Sequence, residues 1–201
     1  MMRVGLIDYG AGNIFSILCG LQRVGIKAKV YNKPNDVASI DAVVVPGVGN
    51  FSKAAESLQE YKEVLEDLLR EGRYILGICL GMQILLEKSE EGEGNGLGLV
   101  KGEVKRLPTS LKVPHMGWNT IKIRKETPLF DGLPINPYFY FVHSFISVPK
   151  ESTHIIATTE YGQEFASAIQ NETILGLQFH PEKSGEHGAI VLNNFRRMIR
   201  R

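Results

Sequence analysis

"GRYILGICLGMQILLEK", residues 72–88, begins as a short apolar run, passes through a cysteine set between two glycines, and continues with apolar residues at helical spacing. A buried strand that turns through Gly77-Ile78-Cys79-Leu80-Gly81 into an amphipathic helix is a nucleophile elbow, here G-x-C-x-G. The glycines let a strained turn pass close to neighbouring strands and hold the thiol above the carboxyl edge of a sheet. A helix starting at Leu80 would point its positive end at the sulfur and favour the thiolate form. An inert core cysteine fits the same stretch taken alone. Cys19, on the apolar face of a helix and without a glycine turn, reads as plain packing.

Upstream, the same alternation repeats. "RVGLIDYG" (3–10), "KAKVYN" (27–32) and "DAVVVPG" (41–47) read as strands, residues 13–24 as a helix and residues 51–70 as one longer helix. Near-continuous apolar strands separated by helices predict an α/β fold with a mostly parallel central sheet flanked by helices. The polar segment "EKSEEGEGNGLG" (87–98) reads as an exposed loop. Beyond it the chain becomes strand-rich: "LVKGEVKRL" (99–107), "WNTIKI" (118–123), "YFYFVHSF" (138–145), "HIIATTEY" (154–161), "FASAIQ" (165–170) and "ILGLQFH" (174–180), with several strands expected antiparallel. A last helix over 186–200 should pack back on the sheet, so that residues 1–201 form one domain without a linker.

The composition fits that reading. The 201 residues are 43% hydrophobic and 22% charged with net charge +1, which is ordinary for a globular chain and argues against a nucleic-acid partner. A chain of this size buries about 70% of its unfolded surface, enough for a dry site without disulfides or a structural metal. The basic cluster Arg196, Arg197, Arg200 and Arg201 closes the last helix, where cations suit the dipole. Met1-Met2-Arg3 leads straight into a strand pattern rather than a signal peptide, and no apolar run approaches the ~20 residues of a membrane span. With only Cys19 and Cys79, the expectation is a reduced, cytoplasmic protein without membrane contact.

A reactive cysteine needs a base. Of His115, His143, His154, His180 and His187, His180 ends the apolar strand "ILGLQFH" and is followed by Pro181 and Glu182. On an extended backbone residues i and i+2 point to one side, so Glu182 would orient the imidazole. Strand ends on the carboxyl edge are also where Cys79 should lie. Cys79 as nucleophile, His180 as base then acid, and Glu182 as orienting carboxylate form a triad. His154 and His187 read as surface residues, and no metal-ligand spacing occurs, so no metal and no cofactor are expected.

"VVVPGVGN" (43–50) supplies a second glycine turn after a strand. A backbone N–H from Gly47 or Val48, with that of Leu80, would form an oxyanion hole. Gly47-Val48-Gly49 and Gly10-Ala11-Gly12 also resemble the start of a dinucleotide fingerprint, but Ser52 and Phe15 stand where the third glycine belongs. Nucleotide binding is the weaker alternative from another class.

With "PGVG", "GICLGMQ" and "FHPEKS" in this order over the whole chain, the sequence resembles the class I, or triad, glutamine amidotransferases. "YGAGN" (9–13) and above all "PHMGWN" (114–119) resemble the branch whose ammonia serves histidine biosynthesis. Another amidotransferase pathway is the alternative. The resemblance implies the family fold and hydrolysis of L-glutamine through a thioester on Cys79, with ammonia passed to a separate cyclase subunit in a heterodimer. It places Gly49, Gln83, His143, Ser144 and Phe145 around the substrate, and Asn13, Trp118, Asn119, Tyr140 and Lys183 at the partner interface.

Overall fold

A computed structural model describes residues 2–108 and 110–200, so Arg201 of the basic cluster lies outside the described residues. The first half contains β1 (Val4–Ile7), α1 (Ile14–Arg23), β2 (Ala28–Tyr31), β3 (Ala42–Val45), α2 (Phe51–Gln59), α3 (Lys62–Arg70), β4 (Tyr74–Ile78) and α4 (Leu80–Ile84). The second half contains β5 (Lys88–Ser89), β6 (Gly102–Arg106), β7 (His115–Thr120), β8 (Lys122–Ile123), β9 (Tyr138–His143) and β10 (Phe145–Pro149). It ends with β11 (Ile155–Glu160), β12 (Glu164–Asn171), β13 (Ile174–Leu177) and α5 (Gly185–Ile199).

The main sheet runs β2-β1-β3-β4-β13-β12-β10-β6-β5, with β11 pairing β12 and β8. The five strands from β2 to β13 are mutually parallel, and β12, β10 and β6 add antiparallel pairs. A separate antiparallel ribbon joins β7 to β9. Apart from the edge strand β2, the parallel strands are buried along nearly their whole length because apolar clusters cover both faces of the sheet: Leu6, Val44, Leu76 and Leu175 belong to one, Val43, Val45, Ile75 and Ile174 to the other. Consequently β1, β3, β4 and β13, neighbours in the order 1-3-4-13, deliver the segments after residues 7, 45, 78 and 177 to one edge.

Several boundaries differ from the sequence reading. The expected helix over 51–70 is two helices, because the N–H of the fully buried Tyr61 bonds the Leu58 carbonyl at 3.0 Å, a tight i−3 turn that redirects the chain. "YFYFVHSF" divides at Ser144, with β9 joining the ribbon and β10 the main sheet. "WNTIKI" divides likewise, with Trp118 in β7 and Lys122 in β8. The helix after Cys79 is only five residues long and buried all round, not amphipathic, because the sheet and α2 enclose it. The polar segment 87–98 is not wholly exposed: it carries β5 and the buried Leu97. Finally, "ILGLQFH" is a strand only to Leu177, and Gln178 to His180 continue beyond it.

Candidate active site

At the end of β4 the backbone of Cys79 takes φ 56°, ψ −111°, a left-handed conformation that costs a non-glycine residue free energy. Its N–H is held by the Leu177 carbonyl at 2.7 Å. Two glycines make the elbow possible. A Cβ on Gly77 would lie 2.7 Å from the Gly81 carbonyl carbon, and one on Gly81 would lie 2.0 Å from the Val45 carbonyl oxygen. The elbow therefore sits directly against the end of β3. A Cβ on Gly47 would be 2.5 Å from the Gly81 nitrogen and 2.6 Å from the Leu80 Cβ, so the Gly47-Val48 turn packs directly against the backbone that carries Leu80.

His180 and Glu182 are buried beside it. The His180 Nδ1 and a Glu182 carboxylate oxygen are 2.8 Å apart. The pairing survives although residues 181–183 form a 3-10 turn rather than an extended strand, because the turn brings i and i+2 into contact by a different route. Its backbone is pinned on three sides. The Tyr140 carbonyl accepts from the His180 N–H at 2.9 Å, the Ser184 hydroxyl donates to the His180 carbonyl at 2.6 Å, and Arg23 donates to the Glu182 carbonyl at 2.9 Å. Gly20 of α1 completes the seat, since a Cβ there would lie 2.8 Å from the Glu182 Cβ.

Burial alone would pull the His180 imidazole down; the neighbouring Cys79 sulfur and the Glu182 carboxylate outweigh it and push the group up to about 9. The ring faces the sulfur closely enough to feel it, yet no aligned bond closes: Nε2 has no partner, and the thiol lies 3.7 Å from the Val142 carbonyl. An Nε2 left open toward the nucleophile is placed to move a proton between sulfur and substrate.

Cys79 opens onto a cavity of about 260 Å³ lined also by Val48, Gly49, Leu80, Gln83, Glu91, Pro114, Val142 and the segment His143-Ser144-Phe145. The structure thus gathers every residue assigned to substrate contact from the sequence. Gln83, buried, donates from Nε2 to the Phe145 carbonyl at 2.9 Å and to Gln178 Oε1 at 3.0 Å. The amide nitrogen of Gln178 lies 3.8 Å from the Cys79 sulfur. Tyr9 donates its hydroxyl to the Pro46 carbonyl at 2.7 Å, and burial, then the charge of Cys79, holds its phenol well above the usual range.

Glu91, Gln178 and Tyr9 escaped the sequence reading. Glu91 sits in a run of glutamates and glycines with nothing to mark it, yet it reaches back to accept from the Phe51 N–H at 2.8 Å. Gln178 carried a signal, a polar residue inside an otherwise apolar strand end. Tyr9 carried none.

The residues assigned to a partner divide. Trp118, 57% exposed, meets Tyr140 edge-to-face with ring centroids 6.1 Å apart, and the Lys183 ammonium lies 5.9 Å from the Tyr140 ring. Met116 and Tyr138 extend this exposed face, and Phe15 is 77% exposed at the start of α1. Asn13 is exposed and caps α1 by accepting from the Ser16 N–H. Asn119 points to the other side of the ribbon, where its amide donates to the Glu160 carbonyl at 3.0 Å, because side chains alternate along a strand. His154 and His187 are half-buried rather than surface residues; His187 lies against the Tyr138 backbone at 3.1 Å. Cys19 is half-buried on α1.

Of the two glycine turns, the first follows Tyr9, whose hydroxyl bonds the Pro46 carbonyl, and Gly47 of the second abuts the elbow. Among the described residues no group of three or more metal-ligating side chains occurs, and no helix is long and apolar enough to cross a membrane.

The family model for "Glutamine amidotransferase class-I" matches residues 5–198. The chain is 45% identical to the imidazole glycerol phosphate synthase subunit HisH of Moorella thermoacetica, covering 100% of this chain and 97% of that protein. It is 46% identical to the subunit of the same name from Methanocaldococcus jannaschii, covering 96% and 97%. Among solved structures, PurLQS from Thermotoga maritima superposes with a TM-score of 0.79 at 20% identity, over 98% of this chain and 99% of that one. The glutaminase domain of CTPS from Trypanosoma brucei gives 0.72 at 15% identity, over 100% and 94%. Those two likenesses carry the fold, and the family match and the full-length relatives carry the membership: this chain belongs to the class I glutamine amidotransferases.

Proposed function

We propose that this chain is the glutaminase subunit of an imidazole glycerol phosphate synthase, working as one domain in the cytoplasm. The observation that carries the chemistry is the strained Cys79 at the mouth of a small polar-rimmed cavity with the His180–Glu182 pair beside it.

His180 takes the Cys79 proton, and the sulfur attacks the side-chain carboxamide carbon of L-glutamine. The oxyanion that forms is met by the N–H groups of Leu80 and of the Gly47-Val48 turn. Collapse breaks the C–N bond, the nitrogen receives the proton from His180 and leaves as ammonia, and a thioester remains on Cys79. Water then gives a proton to His180 and its oxygen to the carbonyl; the C–S bond breaks as His180 returns that proton to the sulfur, and glutamate departs. Glu182 holds the imidazole in the Nδ1–H form and stabilises its charged state. Glu91, lining the cavity, is the carboxylate available to the α-ammonium group of glutamine, and Gln83 with the segment 143–145 faces the remainder of the amino-acid end.

Ammonia released into water is protonated and lost as a nucleophile, so the subunit docks against a cyclase that consumes it. The face formed by the exposed Met116, Trp118 and Tyr138 with the half-buried Tyr140 and with Lys183 suits that role, because aromatic residues are enriched at interface centres. The test is glutamate release from glutamine by this chain alone and with the cyclase subunit loaded with its ribotide. The expected result is a slow basal rate that rises at least about tenfold in the loaded complex, the usual size of a coupling between two sites. Stimulation by the anthranilate or guanine-nucleotide partner enzymes instead would move the assignment to another pathway.

A further inference from the structure

Phe145 presents one backbone carbonyl to two side chains. Gln83 Nε2 donates to it from the nucleophile side at 2.9 Å, and His143 Nδ1 lies 2.9 Å away on the other. His143 Nε2 is 3.0 Å from His115 Nδ1, and His115 Nε2 is 3.3 Å from the Asn119 amide nitrogen, which also donates to the Glu160 carbonyl. The direction of every bond follows from the two ends. A carbonyl only accepts, so His143 must carry its proton on Nδ1 and accept at Nε2. At the far end the Glu160 carbonyl requires the Asn119 nitrogen to be the donor, so His115 accepts at Nε2 and donates from Nδ1. The two derivations agree on the shared bond, His115 Nδ1–H to His143 Nε2.

Both imidazoles are buried, and burial lowers His115 to about 4 and His143 to about 3, so both are neutral near pH 7 as this pattern requires. His115 is held flat by stacking on Tyr161 and Phe141, with centroids 4.1 and 5.0 Å away. Only His143 lines the cavity; His115 does not.

We propose that His115 is a positioning residue: through His143 it fixes the substrate-facing segment 143–145 and ties it to β7, the strand whose opposite face carries Met116 and Trp118. His115 touches neither glutamine nor sulfur in this arrangement. It supplies the one donor that satisfies His143 Nε2, and loss of that donor leaves a buried acceptor beside the substrate unpaired. The role assigned to segment 143–145 rests on the glutaminase reading above.

The test uses the full chain. In 15N-labelled protein, both rings should show the proton on Nδ1, with a through-hydrogen-bond coupling between His115 Nδ1 and His143 Nε2; a proton on His143 Nε2 would overturn the proposal whatever the enzyme does. In the loaded complex, H115F keeps the stacking and loses the donor, so KM for glutamine should rise about tenfold, the size of one lost bond to a buried acceptor, with a smaller change in kcat. H115N, whose amide nitrogen occupies the place of Nδ1, should recover KM to within about threefold of wild type. Iodoacetamide labelling of Cys79 in the free chain should be unaltered, which separates loss of substrate positioning from general loosening. Wild-type kinetics in both variants would sink the role of His115. A wild-type chain that releases no glutamate would sink the glutaminase reading, and the ring measurements would still decide the hydrogen-bond geometry.

Discussion

His180 Nδ1 and Glu182 Oε1 lie 2.8 Å apart with both side chains buried, while His180 Nε2 and the second Glu182 oxygen have no protein partner. The pair is therefore directed: one edge of the imidazole is committed to the carboxylate and the other is free for the sulfur and the substrate. His180→Ala should lower glutamine hydrolysis by several orders of magnitude, and Glu182→Gln by less, because it spoils the tautomer and leaves the base in place. Steady-state kinetics in the loaded complex reads both, and negligible losses at both positions would reject the triad.

Cys79 alone occupies an elbow, so Cys79→Ala should abolish hydrolysis while Cys19→Ala leaves it within about twofold, since Cys19 packs on α1 away from the cavity. A glutamine analogue carrying an electrophile should label Cys79 only, as read by peptide mass spectrometry. The C79A complex should still turn over with added ammonium salt, because only ammonia generation has been removed.

Stability should pass through a maximum near pH 6.5. His180 is raised from 6.5 to about 9, so the stability it contributes is complete below 6.5 and is lost as pH rises through 9. His115 and His143 are lowered from 6.5 to about 4 and 3, so the unfolded chain takes up protons first and stability falls as pH drops from 6.5 toward those values. Thermal midpoints followed by circular dichroism from pH 4 to 10 should show both limbs, and His180→Ala should flatten only the alkaline one.

Glu91→Gln should raise KM for glutamine about tenfold or more with a smaller change in kcat, the signature of lost substrate contact to a charged group. The change keeps an oxygen for the Phe51 N–H, so the thermal midpoint should move little. An unchanged KM would place the α-ammonium group elsewhere in the cavity.

Gly81→Ala should be among the most damaging single-carbon additions in the chain, because the new Cβ would lie 2.0 Å from the Val45 carbonyl oxygen and neither backbone can yield. Gly49→Ala meets nothing within 4 Å and carries only the cost of a φ of 103°. Urea midpoints of the two variants should rank in that order by more than ~1 kcal/mol.

Trp118→Ala should leave the thermal midpoint and basal glutaminase near wild type, since the ring is exposed and lies on the separate β7–β9 ribbon rather than in the sheet that carries Cys79. Affinity for the cyclase should fall at least about tenfold, as expected for an aromatic anchor at an interface centre. Unchanged affinity by titration calorimetry would move the docking face away from the ribbon.

The sequence by itself determined the α/β class, the elbow and the histidine–glutamate pair, because each is written in local chemistry: apolar runs set strands, paired glycines mark a strained turn, and two residues apart is near enough to meet in either an extended chain or a 3-10 turn. Family resemblance added the cavity residues. Tertiary structure alone decided what depends on distant segments meeting. The break at Tyr61, the five-residue helix after Cys79 and the division at Ser144 are set by which surfaces each segment must cover, and local periodicity does not record that. Glu91, Tyr9 and the His115–His143 bond belong to the same class. Each joins residues 28 to 40 positions apart, through Phe51, Pro46 and the β7–β9 pairing, so only the folded chain brings their polar atoms within hydrogen-bond distance.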